Sequence, residues 1–403
     1  MDAPRTRYLT AAAYSGMFVF GVVMALLGAV LPLVSVEIGF DLARAGDLFL
    51  GMNFAMLATM LTLGPLMDRF GKKPPMVAGP LLVALALGGI ANAGAYGTLF
   101  AAIVLLGAGG GLLNGATNTL IADLHQDPMR KNAALNLLGI FFGLGAIFLP
   151  FTIGSLIATL GLAAILYAAL GLALVPALLS AVLAFPAPKH RERVPLAEAA
   201  RLVRNPMVLA FGLLLFFQSG NEFILGGYVS TFLARELGTP VARASLLLAL
   251  YWGSLIAARM LLSRLLLRVS GSAVVMASAL AAAMGLLLLI MAPGEAVAAA
   301  ALVVTGIGIA SIFPTTLGLA GSRFEAWSGT VFGLLFAMAL SGGMIMPWAL
   351  GRIANTAGFR AAMLLPVAGF VAIFVIQAVV IGPRNSRRAR EPGPEGSGGA
   401  QPG

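Results

Sequence analysis

Long stretches without a single charge constrain this chain more than any other feature. Phe18 to Val36, Val77 to Ala95 and Leu172 to Phe185 contain no Asp, Glu, Lys or Arg. About 20 apolar residues in a helix cross the hydrocarbon core of a bilayer. Lipid leaves no partner for an open backbone, so helices and closed barrels are the only spanning structures. A barrel needs short alternating strands, and no such pattern occurs here. Only 10% of the 403 residues are charged, against about 25% in a soluble domain. The expected class is an all-α membrane protein. Arg5 and Arg7 precede an apolar stretch too long for a signal-peptide core and without a small-residue cleavage site, so it reads as the first membrane helix. With no cysteine and with only His125 and His190, disulfides and thiolate sites are excluded, and neither a metal nor a cofactor is expected.

Polar breaks define twelve apolar segments, at roughly 10–36, 43–67, 75–95, 98–122, 133–158, 162–185, 206–233, 244–267, 273–292, 297–320, 329–353 and 360–382. Nineteen of the 25 Lys and Arg residues fall in the tails and alternate connections on one side. Arg44, Arg235, Arg243, Arg352 and Arg360 fall on the other, and Arg259 stands within a segment. By the positive-inside rule both termini are cytoplasmic. The formal charge of +10 therefore marks a membrane side, and no nucleic-acid partner is expected. The predicted organisation is a six-helix bundle over 1–185, a cytoplasmic linker over 186–206, a second six-helix bundle over 207–382, and a disordered cytoplasmic tail over 383–403. Leu196–Val203 in the linker suits a short amphipathic helix on the membrane surface, and the tail's arginines suit anionic headgroups. A monomer in a bacterial-type inner (plasma) membrane is expected.

The first half recurs in the second at a shift of 199 residues. Glu37-Ile38-Gly39 and Ala43-Arg44-Ala45 return as Glu236-Leu237-Gly238 and Ala242-Arg243-Ala244. Gly21 and Gly28 map to Gly220 and Gly227, Gly107 and Gly109 to Gly306 and Gly308, and Arg69 to Arg268. At a shift of 197, Gly145, Pro150, Gly154 and Gly161 fall on Gly342, Pro347, Gly351 and Gly358. Six helices per half make the repeats parallel.

The connection after segment 2 reads Gly64-Pro65-Leu66-Met67-Asp68-Arg69-Phe70-Gly71-Lys72-Lys73. It resembles the signature loop of the major facilitator superfamily at every fixed position, and with the twelve segments the resemblance spans about residues 8–382. Gly64 permits close helix approach, and Asp68 can pair with a cation or a helix N-terminus. The resemblance implies that Gly64, Asp68, Arg69, Gly71, Lys72 and Lys73 form a gating loop, and that the halves rock about a substrate near mid-membrane. The matching stretch Ser263–Ser270 has Leu267 in place of the acid, so the second latch is degenerate. Asn136–Gly145, Gly220-Asn221-Glu222 with Gly226-Gly227, and Tyr251-Trp252-Gly253 followed by Arg259 resemble the fucose permease-like sugar transporters. This chain departs from them: Gly139 stands where they often have a histidine, segment 1 has no acid, and segment 4 carries Asn114 and Asn118 instead of a carboxylate.

Among fifteen acids, only Glu222 lies well inside an apolar segment. A lone carboxylate there is expensive and marks a cavity or a transport pathway, and it suits uptake and release of a proton. Gln218 shares its helix face, and Asn221 is its neighbour. The alternative is a carboxyl that only ties helices together, for instance through Arg259. Asn114 and Asn118, spaced i,i+4, share one face of segment 4 and suit the hydroxyl or carbonyl groups of a polar neutral solute, or else bond another helix. Arg259 could hold an anion, pair with Glu222 or cap a carbonyl. Asn53 and Gln377 read as helix-to-helix hydrogen bonds. Pro150, Pro314 and Pro347 free backbone carbonyls and let helices bend.

These readings converge on a secondary transporter of a small organic solute, sugar-like by resemblance and either proton-coupled through Glu222 or facilitative, and not on an enzyme. Proton-driven efflux of lipophilic drugs or metabolites is an alternative transporter reading. A membrane sensor or enzyme is the alternative from another class, and would need paired ionisable groups in one cavity.

Overall fold

The computed structural model of the chain describes residues 3–125, 127–186, 202, 204–265, 269–324 and 328–382. The amphipathic stretch expected at Leu196–Val203 (save Leu202), the acid-less latch position Leu267, Trp327 (whose sequence position suits an interfacial anchor), His190 and the basic tail lie outside them. The helices are α1 (Ala3–Ile38), α2 (Leu42–Phe70), α3 (Lys73–Ala91) and α4 (Tyr96–Leu124). A continuous run, Pro128–Val182, follows. Unbroken, its 55 residues would reach about 80 Å, far more than a bilayer. It breaks at Gly161, where φ is +72°, giving α5 (128–160) and α6 (162–182). The second half comprises α7 (Pro206–Glu236), α8 (Val241–Leu265), α9 (Gly271–Ile290), α10 (Glu295–Arg323), α11 (Ser328–Ala357) and α12 (Phe359–Ile381). Among the described residues, eleven apolar runs, one of them double, thus supply the twelve expected spans.

The sequence repeat is a repeat of backbone. Gly39 and Gly238 have φ of +75° and +67°, and Gly161 and Gly358 have +72° and +89°. Only glycine adopts that region without strain, so the matched glycines close the same turns in both halves. Gly71 is also left-handed and donates its N–H to the Met67 carbonyl. Its counterpart, Ser270, instead caps α9 by accepting the N–H of Ala273. The packing repeats too. A Cβ on Gly107 would overlap the Met52 carbonyl of α2, and one on Gly306 would crowd the Tyr251 carbonyl of α8. Gly109 lies equally close to α3 at Gly79, and Gly308 to α9 at Ala282. Small residues let these backbones approach where lipid supplies no hydrophobic drive between helices.

The halves join through α1–α7, α2–α11 and α5–α8, and the close contacts crowd one end. There Gly28 abuts the Gly226 carbonyl, Gly46 abuts Trp348, Gly351 abuts the Leu42 carbonyl, and Gly154 abuts Ala242 and Leu246. Asp47 Oδ1 lies 3.0 Å from Arg352 Nη1, and Asn355 donates to Asp41 Oδ2 at 2.6 Å. This closed end is the face reached by the α1–α2 and α7–α8 connections. Toward the opposite, basic face, a Cβ placed on Gly64, Gly139, Gly318 or Gly333 meets no atom of the described residues within 4 Å. The close approach expected at Gly64 is therefore absent in this state, because the halves stand apart at its end. Among the described residues, the contacts between the halves therefore gather at the closed end and leave a crevice toward the basic face.

Candidate functional site

The crevice ends at a roof of side chains that spans both halves. Phe20 of α1 packs on Phe142 of α5 with ring centroids 5.6 Å apart, and Phe142 meets the edge of Trp252 of α8 at 6.3 Å. Beside them Asn53 of α2, fully buried, donates to the Gly343 carbonyl of α11 at 3.2 Å and to the Phe49 carbonyl at 3.0 Å. Asn53 thus bonds across the halves. Gln377 donates to Ser272 at 2.9 Å within the second half.

Glu222 lies one helical turn below the point where α7 touches α1, at Gly226 against Gly28. Its Oε1 is 3.7 Å from Arg259 Nη2, an ion pair too long for a direct hydrogen bond. The Glu222 side chain is 12% exposed and that of Arg259 is 32% exposed, so neither is fully buried. Arg259 Nε donates to the Ala310 carbonyl at 3.1 Å, and Gln218 Nε2 to the Ile309 carbonyl at 3.4 Å. The reason lies in α10, which runs Glu295–Ile309, breaks, and resumes at Ile312. Pro314 has no N–H for the carbonyl four residues earlier, that of Ala310. The break leaves two consecutive acceptors, and α7 and α8 each supply one donor. Sequence reasoning finds Glu222, Gln218 and Arg259 but misses the α10 carbonyls that join them; Phe313-Pro314 is their only signal.

Asn221 is placed elsewhere: fully buried, it faces Gly369 of α12, and its amide atoms have no partner among the described residues. Asn114 and Asn118 stand on α4, with Asn118 donating to the Asn114 carbonyl at 2.8 Å and to its Oδ1 at 3.0 Å. On either side of that face, Thr117 meets Met17 of α1 and Gly115 meets Leu63 of α2. The two amides therefore point into the wedge between α1 and α2, and both are partly exposed.

The loop residues sit at the open end. Gly64, Asp68 and Arg69 belong to the last turns of α2, Asp68 is half-buried, and the Arg69 guanidinium lies 5.0 Å from the Phe70 ring centroid. Lys72 pairs with Asp123 at the end of α4, both largely buried. Lys73 opens α3, ahead of Pro74. The acid holding the loop's first lysine is thus Asp123, which nothing in its sequence neighbourhood singles out. At the closed end sequence reasoning also misses a second cluster, Asp41, Asp47, Arg352 and Asn355, with Arg352 stacked on Trp348 at 4.1 Å. Apart from the crevice, an apolar groove of about 790 Å³ on the outer wall is lined by Leu50, Phe54, Phe100 and Met344. It touches none of the residues around Glu222.

The profile of the Major Facilitator Superfamily matches residues 13–220 and again 211–402. No curated relative matches the chain. Among solved structures, the nucleoside transporter NupG is 17% identical with a TM-score of 0.77, covering 93% of this chain and 99% of its own. A bacterial homolog of the human lysosomal transporter Spinster, inward-facing and unoccupied, is 15% identical with a TM-score of 0.73, covering 94% and 98%. The transporter FucP in its outward conformation is 21% identical with a TM-score of 0.64, covering 92% and 97%.

Proposed function

Because the chain belongs to the major facilitator superfamily, we propose that it is a proton-coupled secondary carrier of a small organic solute, working by alternating access, with Glu222 as the proton site. The observation that carries this is the position of Glu222: ionisable, not fully buried, and one turn below the contact between α7 and α1 at Gly226 and Gly28. A proton taken up there changes the charge at the junction of the halves, where a gate must respond. The basic face is cytoplasmic by the positive-inside rule, so the crevice opens inward. The better superposition on the inward-facing Spinster homolog than on outward FucP supports that orientation.

For the solute we favour a sugar or related polyol. The partly exposed amides of Asn114 and Asn118 offer donors and acceptors without charge, and FucP is a fucose:proton symporter. Uptake into proteoliposomes under an imposed pH gradient tests the coupling. Glu222→Gln is expected to abolish gradient-driven accumulation while leaving exchange across the membrane. Equal stimulation of wild type and variant would overturn the proton role, and failure of a whole panel of labelled sugars to be carried would overturn the solute class.

A further inference from the structure

We infer that Arg259 is a positioning residue through which the charge on Glu222 sets the break in α10. The inference rests on Glu222 as proton site and names the element on which its protonation acts. Arg259 is held from two directions, by the Glu222 carboxylate at 3.7 Å and by the Ala310 carbonyl at 3.1 Å. Ala310 accepts from Arg259 because Pro314 cannot donate to it. Gln218, one turn from Glu222 on α7, holds the neighbouring Ile309 carbonyl. The two carbonyls exposed by the break are thus capped by Arg259, the ion-pair partner of Glu222, and by Gln218, one turn before it on α7. Within the break, Ser311 bonds Ser278 of α9 at 2.7 Å, which gives the segment that follows a fixed point to turn about.

The physical consequence follows from what each charge state leaves behind. With Glu222 ionised, the guanidinium sits between two acceptors and both anchors hold it in place. Protonation removes the carboxylate charge and leaves the cation with the carbonyl alone. An uncompensated cation in a partly dry site is costly, so Arg259 turns toward the water of the crevice, and the α10 break loses a cap. The lower half of α10, Ile312–Arg323, is then free to swing. That segment carries Gly318, at the open end. The other ionisable group within reach of the pair is Tyr251, buried on α8. Among the described residues α1, α10, α11 and α12 carry Asp, Glu, Lys and Arg only toward their ends.

The absence of native cysteine permits a test without a known solute. Spin labels on cysteines at Leu61 of α2 and Ser322 of α10, both exposed, report the width of the basic end in full-length protein in lipid nanodiscs. In the wild type the distance distribution is expected to shift as the pH is lowered, and Glu222→Gln to fix it in the low-pH form. Arg259→Gln and Pro314→Ala are both expected to lose the pH-dependent shift. The second returns an N–H to the Ala310 carbonyl and leaves the ion pair untouched, so it separates the break from the charge. Arg259→Lys, which cannot span both acceptors, should recover only part of the shift. Monodispersity and an unchanged label distance across the closed end show that each variant is folded. If Glu222→Gln removes the shift while Arg259→Gln and Pro314→Ala keep it, the positioning role is overturned and the proton site stands. A shift that survives in all the variants, or no shift in wild type, overturns both.

Discussion

Asp41 serves the start of α2 and the seal between the halves at once. One carboxylate oxygen accepts the Arg44 N–H at 2.9 Å, and the other accepts from Asn355 of α11 at 2.6 Å. The Arg44 backbone bond, aided by Asn355, holds this carboxyl below its ordinary value of 3.8. A lowered folded-state value means that the contribution is complete above the ordinary value and is lost as pH falls through the lower one. The seal should therefore be insensitive to pH between 5 and 8 and weaken only in strong acid. Labels spanning Asp41's end of α2 and α11, followed by distance measurement down a pH series, check this. A transition near pH 6 at this end would contradict it. Glu222 is legible in the sequence because a carboxylate in an apolar run is conspicuous on its own. Asp41, Asp47, Arg352 and Asn355 are not, because each stands at or near a helix end where polar residues are ordinary, and only the fold brings α2 and α11 together. Asn221 shows the reverse case, since adjacency to Glu222 turns its side chain about 100° around the helix and onto α12.

At the scale of the helix, glycine positions carry the two states. Gly46 and Gly351 are crowded by the facing half, while Gly64 and Gly333 on the same pair of helices meet nothing. If α2 and α11 close at the basic face when they part at the other, Gly64 becomes a contact glycine in that second state alone. Gly64→Leu is then expected to leave the present state undisturbed and to cost about 1–3 kcal/mol in the closed-inward one, as overpacking does. Through a factor of ten per 1.4 kcal/mol, that is roughly a 5- to 150-fold fall in the population open to the other side. Thiol accessibility of single cysteines on the two faces measures it; equal accessibility in variant and parent would rule the contact out. The turns closed by Gly39, Gly161, Gly238 and Gly358 are legible, since the repeat at 199 and 197 residues marks all four in the sequence itself. The break in α10 is only half legible: Pro314 announces a bend, but its capping by Arg259 and Gln218 depends on how α7, α8 and α10 pack.

The whole molecule is two copies of one six-helix plan whose seals are unequal. At the closed end the halves share backbone contacts, the buried bond of Asn53 to Gly343, and the half-exposed pair of Asp47 with Arg352. Exposed ion pairs contribute only about 0–1 kcal/mol, and helix-to-helix hydrogen bonds in membranes about 0.6 kcal/mol on average. None of these can lock the carrier, which is what a cycle requires: a seal of many small terms opens when a modest one is withdrawn. A covalent seal differs in kind. Cysteines at Asp41 and Asn355, whose native side chains are already hydrogen-bonded, should join under mild oxidation and hold the protein open to the basic face. Transport in proteoliposomes is expected to fall to background and to return with a reductant, while each single cysteine stays active before and after oxidation. Oxidation that forms the cross-link without stopping transport would mean that α2 and α11 do not separate at this face, and the rocking of the halves would have to be replaced by a local gate.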